Sequence, residues 1–536
     1  MATKRNSRRS GKVGIAQLGK PQGIIQPRVQ AVGPERFGVA PVDPHKAYSQ
    51  LMLCNFYGQV LTQSTTVEHG RAQLKLATAQ LREACQRHGL KDLIVAIEMT
   101  GAYHKPVQQA FRAAGFETRL VHPFASHHYR QPASPDLKTD NRDLEAIFRA
   151  AVNGFGLVQP TLDETYSRLR ILVRHRRDLI KKRAKLQCQI REYLDRCLPG
   201  YGALFERESL WDRPMALLIA QRAGSASAIR AAGITGIQRW LKEAKLRCWE
   251  RTIGRIVTWS GNAPDPDPWA ADYNRVWQDL YEDWQAKTTR IVRLEQELAE
   301  ILVKTPYLLL LSHPGINVVS AADLAGEMGP IEHYANVKAL TGRAGIFPSC
   351  HQSGQVNQPN GPLARLRNAE LRAACLRTAD NLIKSNAYYH GKHRAWKDHG
   401  VDPRDIRCRV ANRALRAVFQ IVSGRKLYDH PSRLDRDYVL EKLLHFHQEH
   451  HTPPDRIVRD LKAAAEQIPA REQATEGAHL KQRYQQLKRA RRAEAKELGT
   501  LLVAVLARYG IMAVESTGEA QGPTRLKSEG EHPLTP

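Results

Sequence analysis

Residues 93–98, LIVAIE, decide the fold class of this chain, because a short apolar run rich in β-branched side chains ends there on a carboxylate. Such a run is typical of a strand buried on both faces of a sheet. Outward from it, further strands are predicted at residues 37–42, 48–56 and 118–121, and helices at residues 68–88 and 104–114. Strands that alternate with helices after an opening meander predict an α/β layer fold.

Four acidic residues stand where such a fold would bring them together. Asp43 follows the first strand, and Glu98 ends the LIVAIE strand. Asp140 and Asp143 are three residues apart at the start of a predicted helix and therefore share one face. Ligand sites of parallel sheets form beyond the carboxyl ends of the strands, and a carboxylate cluster there is costly without cations. Each acid taken singly is more typical of a surface residue, but the set predicts bound Mg²⁺ or Mn²⁺ and phosphodiester chemistry.

Size and charge narrow the class of protein. At 536 residues the chain is expected to hold two to four domains, and its 42% hydrophobic content supports packed cores. The formal net charge of +27 predicts a polyanionic partner, because lysine and arginine neutralise phosphates and release counterions. Charge alone indicates no particular chemistry. We find no run of about 18 apolar residues and no apolar signal region, so we expect no membrane span and a cytoplasmic, nucleoid-associated prokaryotic protein.

Changes in composition predict six segments. The middle segment shows heptad-like spacing in two long stretches, which indicates either an antiparallel hairpin or an intermolecular coiled coil. Within residues 431–512, the stretch from His445 to His451 is rich in histidine, and we interpret it as solvated and polar rather than metal-binding. The six segments are a basic disordered arm (1–33), the α/β domain (34–160), a helical coiled-coil region (161–305), a compact, mostly helical domain (306–430), a basic helical extension (431–512) and a disordered tail (513–536).

Two basic stretches are candidates for nucleic-acid binding. Residues 168–191 hold ten Lys or Arg against one Asp, more than helix formation requires, although a solvated helix face is the alternative. A second basic helix follows a loop rich in Gly, Pro, Asn and Gln, in which Ser353 precedes a glycine. A Ser-Gly pair in a loop, taken alone, is most often a turn. The candidate nucleic-acid contacts are Arg174, Arg176, Arg177, Lys181, Lys182, Arg183, Arg365, Arg367 and Arg372.

The sequence around the four acids resembles that of the DEDD transposases of bacterial insertion sequences, a group that includes pilin-gene invertases and bridge-RNA-guided recombinases. The matching phrases are Gly38-Val39 before Asp43-x-His45-Lys46, Ile97-Glu98-x-Thr100-Gly101-x-Tyr103, and Lys138-Thr139-Asp140-x-x-Asp143. The resemblance implies a RuvC-like (ribonuclease H-like) N-terminal domain with its acidic tetrad at Asp43, Glu98, Asp140 and Asp143. Pro41 departs from the family pattern and predicts an edge position or a bulge in the first strand.

The second half carries a separate part of this resemblance. Residues 345–354, GIFPSCHQSG, followed by Gly361 and Leu371-Arg372, are similar to the C-terminal transposase domain of the family. The resemblance implies that Ser353 is a nucleophile that forms a transient phosphoserine link to DNA, and such a hydroxyl needs a base or a metal beside it. Where the family often has a lysine after the loop, this chain has Asn357 to Gly361, so Arg365 or Arg367 is expected to take the phosphate contact.

Three functions are compatible with the sequence. The resemblance implies an insertion-sequence transposase or recombinase that acts on donor and target DNA, is guided by a structured RNA, and works as a homo-oligomer (dimer or tetramer). A RuvC-like structure-selective endonuclease, with Ser353 merely structural, is the alternative, and the match around Ser353 argues against it. A non-catalytic nucleic-acid-binding protein is the third, and the intact tetrad argues against it.

Overall fold

A computed structural model describes residues 23–130, 139–158, 163–205, 210–349, 351–353, 356–358, 361–364, 367–428, 435–469, 498–508 and 510–511. The chain divides into two compact units, residues 1–161 and 162–536. The strands are β1 (Phe37–Pro44), β2 (Tyr48–Asn55), β3 (Val60–Glu68), β4 (Asp92–Glu98), β5 (Thr118–Val121), β6 (Gly156–Leu157), β7 (His351–Ser353) and β8 (Val356–Gln358).

Helices make up most of the rest of the described chain. None of these helices combines the length and apolar character that crossing a bilayer requires. The helices are α1 (Gln26–Val32), α2 (Arg71–Arg87), α3 (His104–Ala113), α4 (Pro123–Arg130), α5 (Asp140–Ala150), α6 (Glu164–Cys197), α7 (Pro214–Ala223), α8 (Ala226–Glu243), α9 (Glu250–Asn262), α10 (Ala270–Leu302), α11 (Val318–Met328), α12 (Val337–Ala344), α13 (Ala369–Ser385), α14 (Ala387–Asp398), α15 (Pro403–Ser423), α16 (Asp435–Glu449), α17 (Pro454–Gln467) and α18 (Leu498–Arg508).

The first unit is built on a six-stranded sheet in the order β3-β2-β1-β4-β5-β6. The central strands β1, β4 and β5 are parallel, whereas β2, β3 and β6 pair antiparallel with their neighbours. The LIVAI side chains of β4 alternate between two apolar clusters, one on each face of the sheet, because helices cover both faces. This mixed sheet and the mostly helical remainder confirm the predicted fold class, RuvC-like α/β followed by α.

The predicted disordered arm ends earlier than residue 33. Residues 26–32 form α1, and both Ile25 and Val29 are buried in the cluster on one face of the sheet. Arg28 binds Asp92 at 2.5 Å and Glu117 at 2.7 Å. Prediction of an arm through residue 33 is therefore wrong for residues 23–33, because an apolar pair four residues apart gives this segment a face to bury. The arm's first 22 residues lie outside the described part of the chain.

Pro41 lies in a central strand, so the predicted edge position is wrong. On one side, β1 pairs with β4 through Pro41 itself, opposite Ala96. On the other side, the antiparallel pairing to β2 passes from Val39 to Val42 without a register shift. Proline lacks the N–H that a ladder requires. Its cost in a central strand is therefore a local gap in the pairing to β2 rather than a bulge.

The second unit holds two separate apolar cores joined by a long helical hairpin. Helices α6 and α10 run antiparallel, since Arg176 contacts Glu295 and, near the far end, Cys197 contacts Ala270. The near core includes the start of α6, the end of α10 and helices α11 to α18. The far core, which we call the head, is formed by the end of α6, α7 to α9 and the start of α10. Of the two arrangements open from the heptads, the structure shows the antiparallel hairpin.

The predicted boundaries near residues 305 and 430 do not separate cores. Leu440, Leu443 and Leu461 of the predicted extension are fully buried in the same cluster as Leu309. The segments fold together because α16 and α17 bring apolar faces that the preceding helices leave uncovered. The predicted tail, residues 513–536, lies outside the described residues.

The histidine-rich stretch is not wholly solvated, which corrects its interpretation. His447 is fully buried, 3.5 Å from Asp460, and His450 contacts Glu295 of α10 at 2.7 Å. His445 remains on the surface, where it contacts Glu449 at 3.1 Å. The stretch spans the end of α16, where His447 faces Asp460 of α17 and His450 contacts α10.

Candidate active site

Asp43 and Glu98 stand side by side at the carboxyl ends of two parallel strands. Val42 of β1 is in register with Ile97 of β4, so the next residue of each strand is a carboxylate. Asp43 is only 5% exposed, because β1 is flanked by strands on both sides. After Glu98 the chain turns away through Gly101, whose φ of 50° favours glycine.

The other two carboxylates come from the first turn of α5. Thr139 caps this helix and accepts a hydrogen bond from the backbone N–H of Arg142, which fixes where the helix begins. Asp140 and Asp143 both lie in that first turn, and His45 lies beside them, with its Nε2 3.6 Å from Asp43 and 4.0 Å from Asp140. One imidazole is thus shared between the sheet and the helix.

The electrostatics of Asp43 report the proximity of all four acids. Burial, the largest cause, and the charges of Glu98, Asp143 and Asp140 together raise the pKa of Asp43 to about 6, against the lowering effect of His45. When three neighbouring carboxylates oppose the ionisation of a fourth, the site lacks compensating positive charge. The structure therefore brings the predicted tetrad, Asp43, Glu98, Asp140 and Asp143, into one electrostatic cluster.

This donor set fits a hard divalent cation. Carboxylate oxygens are the ligands that Mg²⁺ and Mn²⁺ prefer, and a cation would supply the charge that the raised pKa of Asp43 indicates is lacking. As the side chains stand, however, no three His, Cys, Asp or Glu residues of the described chain converge closely enough to enclose an ion. Glu98 and Asp143 have carboxylate oxygens that already accept hydrogen bonds from neighbouring side chains.

Three residues of α4 and the β4 turn hold the acids and were not assigned a role from the sequence. Ser126 donates a hydrogen bond to one oxygen of Glu98, and Thr100 donates to the other at 3.1 Å. Arg130 contacts Oδ1 of Asp143 at 2.5 Å. Thr100 and His45 belong to the sequence motifs around Glu98 and Asp43. Ser126 and Arg130 carry no signal in the sequence, because only tertiary packing brings α4 to the acids.

Half of the basic residues predicted to bind nucleic acid on α6 have partners inside the protein. Arg174 and Arg177 bind the buried carboxylate of Glu327 at 2.9 and 2.7 Å, and Arg176 binds Glu295 across the hairpin at 2.5 Å. Further along α6, Lys181, Lys182 and Arg183 are exposed or half-buried, and Lys182 contacts Asp178 within its own helix. Nucleic-acid binding by these residues stays a prediction, and the internal ion pairs favour Lys181 and Arg183 as its carriers.

The predicted serine and its basic neighbours lie around a small two-stranded sheet of the second unit. Ser353 ends β7, and its backbone pairs with Val356 of β8; its side chain is outside what the structure describes, as is the whole of Arg365. Arg372 donates hydrogen bonds to the backbone carbonyls of Ala344 and Ala364, and Arg367 is exposed. The role of Ser353 therefore stays a prediction, and Arg372 ties the segments that flank the loop.

A RuvC-like sheet that gathers four carboxylates, in a chain of high positive charge, defines a class of proteins that process nucleic acids at an acidic site. The comparisons with known proteins narrow this class. Residues 40–199 match the family model of the IS110-type DEDD transposases, described as "Transposase", and residues 307–394 match "Transposase IS116/IS110/IS902 family". These two stretches of the chain are therefore similar to the IS110-type DEDD transposases.

A curated relative agrees with these matches. The chain is 23% identical over 209 residues to the "Insertion element IS116 uncharacterized 44.8 kDa protein" of Streptomyces clavuligerus, covering 38% of this chain and 52% of that protein. The chain thus spans about half the length of this relative. Residues 200–306, which include most of the head, and residues beyond 394, which include α15 to α18, fall outside the two family matches.

Proposed function

We propose that this protein is an insertion-sequence transposase that cuts and rejoins DNA, with a divalent cation on Asp43, Glu98, Asp140 and Asp143 and with Ser353 as nucleophile. A structured guide RNA would choose the sites by base pairing. One observation carries the proposal: the paired strand ends at Asp43 and Glu98 share an electrostatic cluster with both acids of the first turn of α5. Such a cluster has no use in a purely structural sheet, where it costs stability.

The protein's part in strand cleavage would be to hold ligands in place. Asp43 is fixed by its strand, and Glu98 by hydrogen bonds from Ser126 and Thr100. A bound Mg²⁺ or Mn²⁺ would activate the attacking oxygen and stabilise the leaving one. His45, between Asp43 and Asp140, would orient these two carboxylates.

The serine step would proceed as a phosphoryl transfer. The hydroxyl oxygen of Ser353 would bond to phosphorus while the bond from phosphorus to a deoxyribose oxygen breaks. The hydroxyl proton would pass to a base, and the released deoxyribose oxygen would take up a proton. A second DNA hydroxyl would then displace the serine and rejoin the strand. This sequence needs no external energy, because the phosphoserine keeps the energy of the broken ester.

The experiment compares covalent adducts and nicks. Purified protein is incubated with donor and target DNA, Mg²⁺ and RNA transcribed from the element's flanks, and the reaction is stopped with denaturant. Wild type should give a covalent protein–DNA adduct that Ser353→Ala lacks. Ser349→Ala is the matched control, since Ser349 lies four residues earlier, and it should keep the adduct.

The carboxylates are tested in the same reaction. Asp140→Ala should abolish every break, whereas Glu145→Ala, on the same helix but paired with Arg142 and Arg149, should cut like wild type. Normal cutting by Asp140→Ala would refute the tetrad. Free nicks that persist in Ser353→Ala would refute the nucleophile and indicate the structure-selective endonuclease. Identical activity with and without RNA would refute guidance.

A further inference from the structure

Arg130 forms an ion pair with Asp143, one of the four acids of the tetrad. It is the last residue of α4, and its Nη1 lies 2.5 Å from Oδ1 of Asp143. Its Nη2 lies 2.9 Å from Nδ1 of His127, one turn earlier. The side chains of Arg130 and Asp143 are 22% and 17% exposed, so the pair is largely shielded but its guanidinium reaches solvent.

Arg130 occupies a carboxylate oxygen of Asp143 that a bound cation would also use. A carboxylate oxygen binds Mg²⁺ at about 2.0–2.1 Å, so an ion on Oδ1 of Asp143, which lies 2.5 Å from Nη1 of Arg130, would be no more than about 4.6 Å from that nitrogen. Two like charges at that distance in a partly buried site repel strongly. Asp143 therefore cannot offer this oxygen to an ion while Arg130 holds it. Among the described residues, Asp143 is the carboxylate that Arg130 contacts.

We propose that Arg130 competes with the divalent cation for Asp143, and that cation binding releases its guanidinium to a phosphate of the DNA. This inference rests on the proposed function, because it takes Asp143 as a metal ligand. Arg130 is then a positioning residue with two states. With Asp143 it neutralises part of the tetrad, and with the phosphate it couples metal loading to DNA binding. A guanidinium suits both partners, since carboxylate and phosphate present similar pairs of oxygens.

The test measures Mn²⁺ binding to the full chain without DNA, by electron paramagnetic resonance of free Mn²⁺. Arg130→Gln should bind Mn²⁺ about tenfold more tightly than wild type, a size usual for coupled sites. Arg142→Gln is the matched control, because Arg142 lies at the same end of α5 but contacts Glu145 at 2.8 Å, away from the tetrad. Its Mn²⁺ affinity should equal that of wild type. Arg130→Lys keeps the charge and should stay near wild type.

A second readout follows the released guanidinium. Duplex DNA binding is measured by fluorescence anisotropy with and without Ca²⁺, which should occupy the site without supporting cleavage. The cation should raise the DNA affinity of wild type and of Arg142→Gln by a clearly larger factor than that of Arg130→Gln. Equal factors would refute the transfer of Arg130 to phosphate.

The outcomes separate the inference from the function on which it rests. Unchanged or weaker Mn²⁺ binding in Arg130→Gln, with binding lost in Asp143→Asn, would overturn the competition while leaving the metal site intact. Binding that appears only in Arg130→Gln would support it. Absence of Mn²⁺ binding in wild type and in Arg130→Gln alike would refute the metal site itself. A thermal melt of each variant excludes misfolding, and Arg130→Met, which also removes the charge, carries the test if Arg130→Gln does not fold.

Discussion

Glu98 illustrates how single residues set the geometry of the site. Its two carboxylate oxygens are engaged by different hydroxyl groups, Ser126 from α4 and Thr100 from the turn after β4. Outer partners of this kind orient a metal ligand and usually change metal affinity or activity by 10- to 100-fold when removed. The position of the Glu98 carboxylate therefore depends on α4 as much as on its own strand.

We predict that Ser126→Ala weakens Mn²⁺ binding and slows DNA cleavage by about tenfold each, because Glu98 loses one of its two hydrogen bonds. Both are measured on the full chain, together with its melting temperature. Ser126→Thr keeps the hydroxyl and should recover most of the loss. Wild-type affinity and rate in Ser126→Ala would mean that Thr100 alone positions Glu98.

The acids of the site could be predicted from the sequence and their supports could not. Asp43 and Glu98 follow apolar runs whose ends are visible in the sequence, and parallel strands bring such ends to one edge. Asp140 and Asp143 share a face by their spacing alone. Ser126 reaches Glu98 and Arg130 reaches Asp143 only because α4 packs beside the end of β4 and beside α5, and no local pattern encodes those contacts.

His450 gives the second unit a dependence on pH. Burial, the largest single cause, disfavours the charged ring, but the hydrogen bonds with Glu295 and the Phe446 carbonyl and the charges of Glu295 and Glu449 together outweigh it and raise the pKa of His450. For Glu295, burial is likewise outweighed, by hydrogen bonds from His450 and Arg176, and its pKa is lowered. A raised histidine pKa stabilises the fold fully below the unfolded value of about 6.5, and this contribution is lost as the pH rises through the folded value.

We predict that the melting temperature falls as the pH is raised from about 6 to above the folded pKa of His450. His450→Gln should flatten this part of the profile, as measured by scanning fluorimetry at constant ionic strength. His445→Gln is the control, because His445 contacts Glu449 on the surface, and it should keep the wild-type slope. An unchanged slope in His450→Gln would assign the pH dependence to other groups.

At the scale of the element, α6 has two kinds of basic residue that the sequence does not distinguish. Arg177 is 7% exposed and binds Glu327 of α11 and Glu370 of α13, whereas Arg183 is half-buried with no ion pair that the structure describes. Burial alone would raise the pKa of Glu327, but hydrogen bonds from Arg174 and Arg177 outweigh it and lower that pKa. Some of the ten basic residues of this helix therefore form ion pairs inside the protein, as Arg174, Arg176 and Arg177 do. The others are candidates for binding a partner.

We predict that Arg177→Met lowers the free energy of unfolding by about 3 kcal/mol, because it removes one partner of a buried carboxylate. Arg183→Met should leave stability within about 0.5 kcal/mol but weaken DNA or RNA binding and reduce its salt dependence by about one phosphate contact. Urea denaturation and salt-dependent anisotropy measure the two effects. Equal loss of stability in both variants would contradict the division of α6 into structural and binding residues.

At the scale of the whole molecule, the heptad pattern accounts for packing within one chain. Leu169 and Leu298 are buried in the near core, and Ile190 and Trp277 in the head, so these seam positions are used within the hairpin. The dimer or tetramer expected from the resemblance therefore needs another surface and stays a proposal. Heptads reveal that two helices pack, but not whether the partner helix belongs to the same chain.

The head is the part of the molecule that should be removable. Among the residues that the structure describes, no side chain belongs to both cores of the second unit, and the head lies mostly outside the two family matches. Since Arg176 lies opposite Glu295 and Cys197 opposite Ala270, Arg183 lies opposite roughly Lys287. Replacing residues 184–286 with a short Gly-Ser turn would therefore shorten the hairpin without cutting the near core.

We predict that this shortened chain folds, melts within roughly 5 °C of the main transition of the full chain, and still nicks DNA with Mg²⁺. The control deletes residues 435–469, whose Leu440 and Leu461 are fully buried in the near core, and this variant should lose its cooperative transition. If the shortened chain aggregates or unfolds gradually, the two cores depend on each other despite sharing no side chain. If it folds but no longer cuts, the head contributes to catalysis, and its exposed Trp249 would be the first residue to test.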